Sequence, residues 1–465
     1  MLKTLLYILS ANALVLVVKT ASGILFPCFM TTQSYVEYQT FSLYLSYLPI
    51  LSLGFHTGMF IKYGGQPFAT LDKARYKSEF FLLIRILLAF TALFIVVWLL
   101  WPNRMLLYIT LCILPYCLVS AYQSLYQTWG EFGKYNISFI ITSVGPFVWS
   151  LGLLLVAKRL EAAWFIYLFI GVYALMAAWI CRQTVKSTRG VCKAPLLDEV
   201  NLETWKTGAA ICLGSYIFVL IHALDKQIVK IVFDATDFAQ YSFALSLQSM
   251  VTVFITALSQ PLYHFLAKEK VPDTHYVVFM RLLLMLGALG GVAYHVCRFG
   301  VAWILPDYTG SLDIVAIYFA VFPPMAVIHC LFVNLYKLRR LRKAYVFRLG
   351  VILGLSIAMN VFFLSIRRDT LSVAVAMVIV YYLWFLADTR TFGQIGISVK
   401  DGLFLVSYLV IYVLSAGISM PVAAGLVYFM LICLLCLVIY GREVMVALKY
   451  AVKKTPADKW KGRRT

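Results

Sequence analysis

Residues 220–233 read LIHALDKQIVKIVF and place His222, Asp225, Lys226 and Lys230 among aliphatic and aromatic neighbours. On a helix the spacing i, i+4, i+8 puts His222, Lys226 and Lys230 along one face. Cationic donors arranged in this way suit phosphate or pyrophosphate, which binds best to paired charge-assisted hydrogen bonds. Asp225 has two possible uses. It can neutralise Lys226, Lys230 or Lys19 and so fix how two helices pack, or it can bind H⁺ or Na⁺. A charge isolated at mid-bilayer costs roughly 2.5–3.5 kcal/mol, so in a membrane helix these residues must face protein or water.

The rest of the chain makes that setting a membrane. Of its 465 residues 62% are hydrophobic and 13% charged, and the mean hydropathy is +0.87. A soluble protein of this composition could not keep its apolar surface out of water. Apolar segments long enough to cross a hydrocarbon core of roughly 30 Å recur along the whole length. The expected fold is therefore an all-α polytopic membrane protein. Its fourteen transmembrane helices lie near 5–27, 35–61, 80–101, 105–128, 136–157, 162–181, 207–232, 238–266, 277–304, 312–336, 344–366, 371–387, 402–417 and 421–440. The first segment contains Lys19 and lacks a small-residue cleavage site, so it reads as a retained span. Ten cysteines are scattered without metal spacing, and Cys433 and Cys436 read as packing residues. No cofactor is expected. No G-x-x-x-x-G-K motif is present, so no ATP-hydrolysing module is expected either.

Charge orients the spans. With an inside N-terminus, 28 of the 40 Lys and Arg fall in inner connections and termini, and 5 in outer ones. That asymmetry follows the positive-inside rule and puts both termini in the cytoplasm. The net charge of +20 then needs no nucleic acid: it reflects topology and attraction to anionic membrane lipids. The outer connections are short, which leaves no room for an outer catalytic domain. The chain reads as a non-enzyme.

The two halves align without gaps at an offset of 203 residues, Lys3 over Lys206, Tyr38 over Tyr241, and Lys19 over His222. An even number of helices per half makes this a parallel repeat, an architecture common in transporters that bind substrate between halves. The expected organisation is a six-helix lobe at 1–182, a cytoplasmic linker at 183–206 and a second six-helix lobe at 207–390. Two additional helices at 391–440 and a basic tail at 441–465 follow. A cationic cavity lined by Lys19, Arg85, Lys226, Lys230 and Arg298 is expected, with His222 and Asp225 as ion-coupling or ion-pairing residues. Arg281, Lys62 and Arg348 lie near the inner surface, where snorkelling explains them. Tyrosines within spans, among them Tyr38, Tyr44, Tyr47 and Tyr241, suit either interfacial belts or a sugar-handling lumen. Pro49, Pro115, Pro146, Pro261 and Pro323–Pro324 are candidate helix-bending points.

Two stretches carry a family resemblance: YVEYQTFSLYLSYLPILSLGFHTGMFIKYGG (35–65) and Asp225–Lys226 followed by DFAQYSFAL (237–245). The chain resembles the polysaccharide-transporter branch of the multidrug/oligosaccharidyl-lipid/polysaccharide exporter superfamily, the flippases of O-antigen and capsule repeat units. It departs from that pattern where the usual Gly is Val36 and Ala239. The resemblance implies two rocking lobes that flip undecaprenyl-(pyro)phosphate-linked glycans outward for O-antigen, capsule or exopolysaccharide synthesis. Coupling to H⁺ or Na⁺ and a glycan polymerase partner belong to that picture. A lipid II flippase is the nearest alternative. An ion-coupled multidrug exporter would call for an acid-rich interior, and a membrane glycan polymerase for a constellation of carboxylate with Arg or His at one surface.

Overall fold

In a computed structural model, the structure describes residues 2–64, 66–157, 161–192, 195, 199–259, 262–263, 266 and 273–453. All regular structure among them is helical. Eleven helices are long and apolar enough to cross a membrane, or twelve if one bent pair is a single span. The chain is a multi-pass membrane protein. Fourteen spans were expected. The two that fall outside this count are the first, within helix α1 (Leu2–Phe29), and the second, which is broken.

The break in the second segment has a local cause. Helix α2 (Thr32–Leu45) begins on the Thr31 side chain and stops ahead of Pro49, which sits in the first turn of a short 3₁₀ helix, Leu48–Ser52. Proline lacks the N–H that a continuing helix would need. Leu53 (φ 50°) and Gly54 (φ 77°) then adopt left-handed backbone before α3 (Phe55–Lys62). Gly54 suits that conformation because it has no Cβ.

The chain forms two compact units. Unit one holds residues 1–242 and 346–353; unit two holds 243–345 and 354–465. In unit one α4 (Lys73–Leu100), α5 (Arg104–Thr128), α6 (Phe132–Ala157) and α7 (Ala162–Ser187) surround a core centred on α5. The most apolar stretch of α5 is 61% buried against 17% for α4, so α5 is the internal helix and α4 turns most of its surface to lipid. Buried hydroxyls of Tyr76, Tyr122 and Thr184 tie α4, α5 and α7 together. Helix α8 (Glu199–Val232) also belongs to this unit and begins eight residues before the expected span at 207–232. It crosses α3 at backbone contact: a Cβ added to Gly58 would lie 2.0 Å from the Thr204 carbonyl, and one added to Gly208 would lie 2.1 Å from that of Gly54.

Helix α9 (Ala235–Ala257) starts in unit one and continues into unit two. Unit two continues with α10 (Asp273–Gly290), α11 (Val292–Ile304) and α12 (Ser311–Phe319). Helix α13 (Phe322–Leu338) follows at a 54° bend. Pro323 and Pro324 occupy the first turn of α13, where missing N–H groups cost little, and they end the continuity with α12. Pro115 and Pro146 lie inside unbroken helices, and Pro261 lies outside the described residues. The remaining helices are α14 (Arg342–Ile366), α15 (Thr370–Thr391), α16 (Val399–Ala416) and α17 (Pro421–Lys453), the last with a non-helical residue at Tyr440.

Candidate functional site

The charged face of α8 meets α2. Lys226 and Lys230 are one helical turn apart, about 6 Å along the axis. Lys226 Nζ donates to Gln39 Oε1 at 2.6 Å, and Lys230 Nζ donates to Thr40 Oγ1. Both acceptors are neutral, and both belong to buried residues. Gln39 is held in turn, since its Nε2 donates to Tyr35 Oη at 2.6 Å. The Phe238 ring lies 5.7 Å from the Lys226 ammonium and 5.4 Å from that of Lys230, and Tyr44 lies 5.2 Å from Lys230. Aromatic faces attract such cations.

Asp225 is buried beside them. Its carboxylate accepts the Lys226 backbone N–H at 2.7 Å and the Tyr241 hydroxyl at 3.2 Å. His222 donates from Nδ1 to the Phe218 carbonyl of its own helix at 2.9 Å, and its ring lies against Phe218. Both stretches that carried the family resemblance thus converge here. Residues 35–41 supply Gln39 and Thr40, and residues 237–245 supply Phe238 and Tyr241.

Beside Lys230, unit one contains a chamber of about 870 Å³. Its walls come from α2, the 3₁₀ helix, the end of α4 and the start of α5. Gln33, Glu37, Tyr44, Tyr47 and Arg104 are among the residues that line it. Among the described residues, none of these five side chains makes a hydrogen bond or an ion pair. A volume of this size is within the roughly 300–1,000 Å³ usual for ligand sites.

The other cations that stood out in the sequence are placed differently. Arg298, on α11, donates to the Ala416 and Ile418 carbonyls at 2.9 and 2.7 Å and so satisfies the C-terminal end of α16. Arg281, on α10, is fully engaged with Asp401, Glu443 and Ser398. Tyr440 also donates to Asp401, at 2.8 Å. Snorkelling does not describe Arg281: it is the centre of a clamp on α16 and α17. Lys62 pairs with the fully buried Glu79, to which Tyr63 also donates. Arg85 is an exposed residue of α4 with no hydrogen bond or ion pair among the described residues. Arg348 lies in the part of α14 that belongs to unit one. The side chain of Lys19 lies outside the described residues.

The chain matches no described protein family and no curated protein sequence. A solved structure does match it: lipid II flippase MurJ in an inward-closed conformation, at a TM-score of 0.68 and 11% sequence identity. The match covers 95% of this chain and 100% of that one. The chain has the MurJ fold.

Within this MurJ fold, the sequence pattern singled out Lys226, Lys230 and Asp225, and the structure brings them together. Gln39, Thr40 and Glu37 were not singled out. Their signal was nevertheless present, because three polar side chains within four residues of an apolar segment are costly unless they face protein or water. Phe238 carried no signal beyond its place in the 237–245 stretch.

Proposed function

We propose that this protein is a flippase for polyprenyl-(pyro)phosphate-linked glycans in the bacterial cytoplasmic membrane. It carries oligosaccharide repeat units outward for O-antigen, capsule or exopolysaccharide synthesis. The observation that carries this reading is the pair Lys226 and Lys230, whose ammonium groups rest on neutral oxygens. An anion entering between them replaces an amide and a hydroxyl by charge-assisted bonds about twice as strong. Water need not be restored to the cations at any step. The phosphate head group, which cannot cross hydrocarbon unpaired, is solvated by protein while its prenyl tail stays in lipid. Two six-helix lobes, opening alternately to either side, provide the passage. The Asp225 carboxylate beside Lys226 is the candidate site for H⁺ or Na⁺ coupling. A glycan polymerase is the expected recipient of the flipped product.

A second reading, lipid II as substrate, is favoured by the fold shared with MurJ. Both substrates carry a phosphate or diphosphate head on a polyprenyl tail, so the lysine pair serves either. Vesicles reconstituted with the purified protein, one set loaded with lipid II and one with a polyprenyl diphosphate-linked repeat unit, separate them. Flipping of the repeat unit alone supports the first reading, and flipping of lipid II alone the second. Flipping of neither overturns both.

A further inference from the structure

The chamber beside Lys230 differs from the lysine pair in its chemistry. Among apolar side chains such as Leu48, Leu51 and Phe94 it carries one carboxylate (Glu37), two cations (Arg104 and Lys230), two amides (Gln33 and Asn103), the Thr40 hydroxyl and the phenols of Tyr44 and Tyr47. Trp101 adds a large indole that is 71% exposed. A prenyl tail would strand these polar groups against hydrocarbon, at roughly 1–3 kcal/mol for each group left unsatisfied. A simple anion would be held by Arg104 and Lys230 but would offer Glu37 no donor. A metal cation would find only one carboxylate and a guanidinium that repels it, and the described residues contain no cluster of metal-ligating groups. A ring bearing hydroxyls fits all of them. The carboxylate accepts hydroxyl hydrogens, the amide and guanidinium donate to ring and hydroxyl oxygens, and aromatic faces pack against C–H surface.

We infer that this chamber is the glycan compartment of the protein, holding the first sugars of the lipid-linked substrate while Lys226 and Lys230 hold the phosphates. The inference rests on the flippase reading above and adds to it a division of labour. Lys230 and Thr40 form the shared boundary, because they are hydrogen-bonded to each other and both line the chamber. Lys226 lies one turn further from the α8–α9 connection. The phosphates therefore sit deeper and the sugars nearer the end of unit one where α4 passes into α5. Glu37 is the specificity-determining residue. Its carboxylate requires a hydroxyl donor at that position, and a sugar that presents an acidic group there is rejected.

The test uses the purified full-length chain and two probes: undecaprenyl diphosphate without sugar, and undecaprenyl diphosphate carrying one, two or three sugars. Binding is read by native mass spectrometry. Glu37→Gln keeps the shape and removes the charge, and Tyr47→Phe removes a single hydroxyl. Both variants are expected to lose about tenfold in affinity for glycan-bearing lipid while binding the bare lipid as the wild type does. The inference is overturned if both bind glycan-bearing lipid within twofold of wild type, or if they weaken the bare lipid equally. It is also overturned if the wild type binds the bare lipid and gains nothing from any sugar. Failure of the wild type to bind either probe overturns the flippase reading itself, and so the two failures are distinguishable.

Discussion

In unit two Arg281 directs its guanidinium to the carboxylates of Asp401 and Glu443 and to the Ser398 hydroxyl. In unit one Lys226 and Lys230 direct their ammonium groups to an amide oxygen and a hydroxyl. Both clusters are cationic side chains within helices, and both join elements distant in sequence. Their charge balance differs. The arginine is matched by two carboxylates and a closing tyrosine, so a further anion would have to displace bonds as strong as those it makes. Beside the lysines lie the Asp225 carboxylate, which accepts from Tyr241 and from backbone, and Glu37 in the chamber that Lys230 lines; the ammonium groups themselves are held by neutral acceptors that an anion easily replaces. Cations in apolar helices therefore fall into two kinds. A matched cation fixes packing, and one held by neutral partners remains able to bind.

The largest effect should come from breaking the matched cluster. Arg281→Ala leaves the buried Asp401 carboxylate uncompensated and the half-buried Glu443 without its partner, a loss of about 3–5 kcal/mol. Thermal unfolding of the purified protein should show a large drop, with Arg281→Lys intermediate because it cannot span both carboxylates. A melting temperature unchanged by Arg281→Ala would remove the clamp from the account. Next in size is a change that makes the lysine site resemble the arginine site. Gln39→Glu should pair with Lys226, reduce flipping at least tenfold, and leave the melting temperature equal or higher. Faster flipping would show that Lys226 is not a binding group. The smallest effect is expected from Thr40→Val, which removes one neutral hydrogen bond, about 1 kcal/mol. Lys230 loses its resting partner and not its ligand, so stability should fall slightly with flipping kept within a few-fold. Loss of flipping as complete as in Gln39→Glu would make Thr40 a substrate contact.

The sequence made the membrane class and the helical segments legible, because apolar length and lysine–arginine asymmetry are local properties. The position of Lys226, Lys230 and Asp225 on one helix was legible for the same reason. Their partners were not. Gln39 lies 187 residues from Lys226, and Asp401 and Glu443 lie 120 and 162 residues from Arg281. Nothing in a local pattern separates a cation with a distant carboxylate from one without. The segment 35–61 was apolar enough to pass for one span, and its division followed from Pro49 and from the left-handed pair Leu53–Gly54. The cations within and beside the apolar segments were a mixed set. Arg298 serves a helix end, and Lys62 and Arg281 serve ion pairs. Composition counts such charges without showing which are already matched.

The account depends on Lys226 and Lys230 holding an anionic head group. The direct measurement is the affinity of the full-length protein for undecaprenyl diphosphate, compared with that of a Lys226→Gln, Lys230→Gln variant that melts at the wild-type temperature. The account predicts a loss of at least a hundredfold in the variant. Affinity within twofold of wild type would contradict it.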